Sequence, residues 1–269
     1  MLFHAIFFFT ADYTSHLGRI DKSSLSTQTL MEIFIEGIEN NEIICGSAEE
    51  PDHFDKWRDF TYCPDQLTTS AETHFNIDWD GLNLVGTIDL QWLPPTVLSL
   101  EIIGNTLDGS LNLTVLPPSI QFLRLSFNAF SGEIDLCHLP AKVAKLNLAN
   151  NELSGSLNLQ ELPQLIQILA LYANRFSGTL CLRHLPRSLQ TLSVNENDLS
   201  DTVDLTCLPV MMKFLRLDQN NFEGKTDFSQ LPEGFDVLNV SFTNLSGEIL
   251  FGDRTTRFRV EQSSVQLIQ

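Results

Sequence analysis

The dipeptide Leu-Pro recurs at Leu93, Leu116, Leu139, Leu162, Leu185, Leu208 and Leu231, each 23 residues after the last. A fixed period of this length means a stack of one supersecondary unit repeated along the chain. Overlaying the copies gives an eighth column made only of leucine, from Leu100 through Leu123, Leu146, Leu169, Leu192 and Leu215 to Leu238. The tenth column is Ile102, Leu125, Leu148, Leu171, Val194, Leu217 and Val240, and the fifteenth alternates leucine with phenylalanine from Leu107 and Phe130 to Leu245. These columns are predicted to face inward, because one unit alone cannot bury its apolar side and a stack can.

The thirteenth column is Asn105, Asn128, Asn151, Asn174, Asn197 and Asn220, then Thr243. A polar amide in a core column requires hydrogen-bonded partners, so a ladder binding the loop backbone of adjacent coils is predicted. The seventeenth column is glycine except for Asp201, which indicates positive φ or a close backbone approach. Apolar and polar residues alternate at the nineteenth to twenty-first positions, as in Ile134-Asp135-Leu136, so a second short strand is predicted there. An incomplete copy with Ile77, Trp79, Leu82, Leu84, Gly86, Ile88 and Leu90 precedes the series. Eight coils are predicted, about 38 Å long at an inter-strand spacing of ~4.8 Å.

The text Val143-Ala-Lys-Leu146-Asn-Leu148-Ala-Asn-Asn151-Glu-Leu153-Ser-Gly155 resembles the leucine-rich repeat. Its Leu-Ser-Gly half is similar to the plant-type variety, with Ile-Asp-Leu or Leu-Asn-Leu where that variety has Ile-Pro. The Leu-Ser-Gly, Asp-Leu, Leu-Pro text also resembles kinetoplastid arrays. The resemblance implies an α/β right-handed horseshoe solenoid, used mainly to bind proteins. It would carry a parallel sheet on its concave face and short β or 3-10 segments on its convex face.

Three regions are expected: an N-terminal extension and cap over 1–76, the repeat array over 77–251, and a C-terminal cap or tail over 252–269. Solenoid ends expose apolar coil edges and need covering. Leu30, Ile33, Phe34 and Ile38 lie at helical spacing behind Ser26 and Thr27, which predicts a cap helix over about 25–40. At the other end Phe258, Val260, Val265 and Leu267 fit short alternating strands. Trp57, Phe60 and Cys63 resemble the aromatic and cysteine content of plant-type N-terminal caps; Cys45 and Cys63 are read as core thiols, a disulfide between them being the alternative.

Thirty-four acidic residues against 16 basic ones, a formal charge of −18, oppose a phosphate backbone, so nucleic acid is excluded as a partner. Most of the imbalance lies in residues 1–92, which carry 16 acidic and 4 basic side chains and read as a solvated face. The apolar start Leu2 to Ala11 is far shorter than the roughly 20 residues of a membrane-spanning helix. It also lacks the basic opening of a secretory signal. An odd number of dispersed cysteines, Cys45, Cys63, Cys137, Cys181 and Cys207, favours a reducing, cytoplasmic location. Three glycosylation-type triplets, at Asn112, Asn239 and Asn244, leave a secreted or surface setting open.

No phosphate-cradling loop, His-Glu-x-x-His or Gly-x-Ser-x-Gly elbow occurs, so no enzyme activity and no cofactor is expected. His138, Glu161, His184 and Cys207 share a column with metal-ligand chemistry, but a solenoid makes such columns from any residues, and no metal site is expected. The candidate site follows from strand alternation, which turns the seventh, ninth and eleventh columns out onto the concave sheet. There stand Phe122, Arg124, Lys145, Ile168, Tyr172, Phe214, Arg216 and Asp218, with Phe127 and Phe242 one place further on. Aromatics beside arginines characterise protein interfaces. The predicted function is a non-enzymatic protein-binding module or scaffold whose partner presents acidic groups to Arg124 and Arg216. The alternatives are a structural subunit of a larger complex and a secreted or surface recognition ectodomain.

Overall fold

The computed structural model of the chain describes residues 21–63, 73–250 and 257–269. The apolar start, Leu2 to Ala11, lies outside them. Each Leu-Pro marker begins a turn in which the proline carbonyl accepts from the amide three residues on, as Pro140 does from Val143 at 3.0 Å and Pro186 from Leu189 at 3.0 Å. Proline suits this place because its fixed φ presets the turn and its missing N–H is not needed. The turn feeds a short strand, and the strands stack into one ten-stranded sheet. Its members are Phe60–Cys63, His74–Asp78, Val97–Glu101, Phe122–Arg124, Lys145–Asn147, Ile168–Ala170, Thr191–Ser193, Phe214–Arg216, Val237–Asn239 and Arg257–Arg259. The first pair is antiparallel and the rest are parallel. The leucines of the eighth column pair directly from Leu100 through Leu123 and Leu146 to Leu238, and all are buried.

The far side of each coil forms a second set of strands: Val85–Thr87 with Thr106–Asp108, and a seven-stranded sheet from Ser131–Glu133 to Ser264–Ile268. Those of the complete coils begin one to three residues after the asparagine or Thr243, as Glu152 after Asn151 and Ser131 after Asn128, earlier than predicted. At Ile134-Asp135-Leu136 the alternation has another cause. Asp135 Oδ1 accepts from the Cys137 amide at 2.7 Å, and Asp89, Asn112, Asn158, Asp204 and Asp227 hold the amide two residues on in the same way. This is an Asx turn, so the outward polar residue between inward apolar ones caps a bend. Short 3-10 turns, Leu90–Trp92 and Leu113–Val115, follow it in the first two coils.

The asparagine ladder joins each coil to the one before. Asn174 Nδ2 donates to the Leu148 carbonyl at 3.0 Å, while its Oδ1 accepts from the Leu153 amide at 3.0 Å. Asn105, Asn128, Asn151, Asn197 and Asn220 repeat both bonds. Thr243 is too short for this and donates to Val240 of its own coil. In the glycine column Gly178 has φ 81°, and Asp201 accepts φ 64° in the same left-handed region. Asp tolerates this better than most residues.

At the N-terminal end, helix α1 (Thr27–Ile35) starts where Ser26 accepts from the Thr29 amide at 3.1 Å. It buries Leu30, Met31, Phe34 and Ile35, with Phe34 stacked on Trp79 at 6.0 Å between ring centroids. Helix α2 (Glu42–Cys45) follows. At the other end Arg257–Arg259 and Ser264–Ile268 add one parallel strand to each sheet.

Candidate functional site

The inner sheet carries the candidate residues in register. Phe122, Lys145, Ile168, Thr191, Phe214, Val237 and Arg257 pair in one row, and Arg124, Asn147, Ala170, Ser193, Arg216, Asn239 and Arg259 in the next. Phe122, Ile168, Tyr172 and Phe214 are half-buried, so packing between coils covers part of each ring or side chain. Phe127 and Phe242 lie at the turn leaving the sheet, 53% and 57% exposed, with φ 57° and 54°. The turn imposes this backbone on every coil, Gly104, Asn150 and Gln219 included. Two aromatic rings there are strained and uncovered at once.

Its charges divide the face in two. Towards the N-terminus Arg124 is committed: its guanidinium meets Glu101 Oε2 at 2.8 Å, and Glu101 Oε1 also accepts from Ser99 at 3.1 Å. Lys145 Nζ sits 5.5 Å from the Phe122 ring centre, a cation–π contact within the face. Towards the C-terminus Arg216, Arg257 and Arg259 are exposed and form no ion pair with a described residue. Sequence reasoning missed Arg257 and Arg259. No Leu-Pro marks their coil, and Asn239 to Arg259 spans 20 residues rather than 23. The alternation Arg-Phe-Arg, with Phe258 turned to the core, was the available signal.

Asp218 departs from the expectation of an open acid, being only 7% exposed, with no partner for its Oδ1. Burial pushes its carboxyl above the usual range and Glu196 adds to this, while a backbone hydrogen bond and Arg216 oppose it. Its neighbour in the column, Asn195, also has a buried Oδ1 with no partner.

The column of His138, Glu161, His184 and Cys207 does not converge; His138 Nδ1 lies 2.6 Å from Asp135 instead. Among the described residues no three His, Cys, Asp or Glu side chains come together as metal ligands. All five cysteines are unpaired: Cys45 Sγ donates to the Ser47 carbonyl, and Asn76 donates to Cys63 Sγ. No helix among the described residues is long and apolar enough to cross a membrane.

No family model and no curated protein matches the chain. Solved structures do match. A pollen receptor kinase 3 structure superposes with a TM-score of 0.53 at 23% identity, covering 72% of this chain and 95% of that one. A plant peptide hormone receptor, RGFR1, in complex with RGF2, gives 0.48 at 21% identity over 67% of this chain. This chain spans 35% of that receptor's length. YopM from Yersinia enterocolitica gives 0.48 at 22% identity, over 66% of this chain and 40% of its own. With its parallel inner sheet, asparagine ladder and 23-residue period, the fold is the leucine-rich-repeat solenoid.

Proposed function

We propose that this chain is a protein-binding leucine-rich-repeat module or scaffold that engages its partner through the concave sheet and carries out no chemistry of its own. One observation carries the reading. Half-buried Phe122, Tyr172 and Phe214 and exposed Phe127 and Phe242 lie with arginines along a face whose register spans consecutive coils. Interfaces concentrate energy in such aromatic and Arg anchors. Five unpaired thiols, two of them exposed, support a reducing compartment. Asn239, in one glycosylation-type triplet, is buried, which closes its side-chain amide to a glycan in the folded chain.

Affinity purification from the native source, comparing the parent with a variant combining Phe122→Ala, Tyr172→Ala and Phe214→Ala, tests the reading. Each anchor removed should weaken the captured partner by ~2 kcal/mol. Undiminished capture by a variant of unchanged melting temperature would move the site off the concave face.

A further inference from the structure

The three open arginines of the concave face form a pattern. Arg216 and Arg259 stand in one row on strands separated by the Val237–Asn239 strand, and Arg257 lies two residues before Arg259 on the same side of its strand. At the spacings of a sheet, Arg216 and Arg259 are about 10 Å apart and Arg257 and Arg259 about 7 Å. Exposed Phe242 follows the intervening strand. The acids closest in the described sequence do not ion-pair with them: exposed Glu261 accepts from Ser241 Oγ at 2.6 Å and feels Arg259 only through space, and Asp218 is buried. The opposite end of the face offers no equivalent, because Arg124 is held by Glu101 and Lys145 lies over Phe122.

We propose that the C-terminal third of the concave face is a subsite for an acidic segment of the protein partner, its carboxylates taken by Arg216, Arg257 and Arg259 and an apolar side chain resting on Phe242. The inference rests on the reading that the concave face binds protein. Charge complementarity selects this occupant. Guanidinium groups pair with carboxylates in bidentate geometry. An extended segment repeats its side chains on one face at about 7 Å, which is the spacing of Arg257 and Arg259 along their strand, and Arg216 stands about 10 Å to the side of that line, within reach of a third carboxylate where the segment crosses the strands. A chain of net charge −18 repels an acidic partner elsewhere, so the cationic third also sets the register of docking.

The test is fluorescence anisotropy at low salt with a labelled extended peptide carrying Glu at every second position, and with its Gln counterpart. The Glu peptide should bind more tightly, and the combined Arg216→Gln, Arg257→Gln, Arg259→Gln variant should lose about tenfold or more of that affinity. The same three positions changed to Lys keep the charge but lose the forked N–H geometry and should retain an intermediate affinity, and Arg183→Gln, away from the inner sheet, should stay within about twofold. Equal binding of the two peptides, or an unchanged affinity in the triple Gln variant, overturns the subsite. If binding survives the triple Gln variant but falls when Phe122 and Tyr172 become Ala, the acidic subsite fails and the concave reading stands. If native partner capture survives both sets with the fold intact, the concave reading fails as well.

Discussion

The backbone amide of Phe130 donates to Oδ1 of Asn151 at 3.1 Å, across the boundary between two coils. The same side chain donates through Nδ2 to the Leu125 carbonyl of the preceding coil at 3.0 Å and to Leu148 of its own at 3.1 Å. Replacing Asn151 with Leu leaves those groups without partners in a half-buried site. A loss of roughly 1–3 kcal/mol is expected. Thermal and urea unfolding of the variant measure it, and a melt indistinguishable from the parent would remove the ladder's role in holding the stack.

Gly86 docks the cap. Its φ is 104°, and Ile38 bridges to it while the Thr87 amide donates to the Gly37 carbonyl at 2.8 Å. A Cβ at Gly86 would sit on the Gly37 carbonyl oxygen, whereas Gly104, with φ 68°, has nothing within 4 Å of such an atom. Gly86→Ala is expected to cost about 2 kcal/mol or more and Gly104→Ala about 1 kcal/mol. Equal losses in the two variants would show that the close approach at Gly86 is relieved without cost.

Phe34 is fully buried against Trp79. Phe34→Ala should cost about 3–5 kcal/mol and expose the apolar edge of the first coil. Size-exclusion chromatography should then show association; a monodisperse variant that melts with the parent would mean that α1 is dispensable as a cover.

Asp218 makes stability depend on pH in a defined direction. Its carboxyl titrates above the usual range, chiefly because it is buried. Between the ordinary carboxylate value and this raised one, the folded chain holds the proton and the unfolded chain does not. Stability from this group therefore falls as pH rises through that window. Asp218→Asn removes the ionisation, so the variant should melt above the parent at pH 7, with the difference shrinking towards pH 4. A gap between the two that widens on acidification would reverse the assignment.

Much of the fold was legible because a stacked coil repeats its chemistry. Leu100 to Leu238 had to face inward, Asn105 to Asn220 had to find backbone partners, and the glycine column had to turn left-handed, with Asp201 following it. The second strand was misplaced because an Asx cap and a strand write the same alternation at Ile134-Asp135-Leu136. Glu101 and Arg124 could have been read as a pair, since they stand 23 residues apart in one column. Reading the columns for apolar content alone concealed it.

By itself the sequence determined the period, the inward columns, the ladder and which side chains stand on the inner sheet, because each follows from a repeat length and the alternation of a strand. Tertiary structure alone decided which charges on that face remain open. Arg124 and Arg216 occupy equivalent columns, yet only Arg124 has an acid at ion-pairing distance on the adjacent strand. Arg257 and Arg259 joined the same face through a coil of different length, which no fixed period could align. Coulomb interaction depends on separation in space and on solvent exposure, and both are set by how neighbouring coils stack.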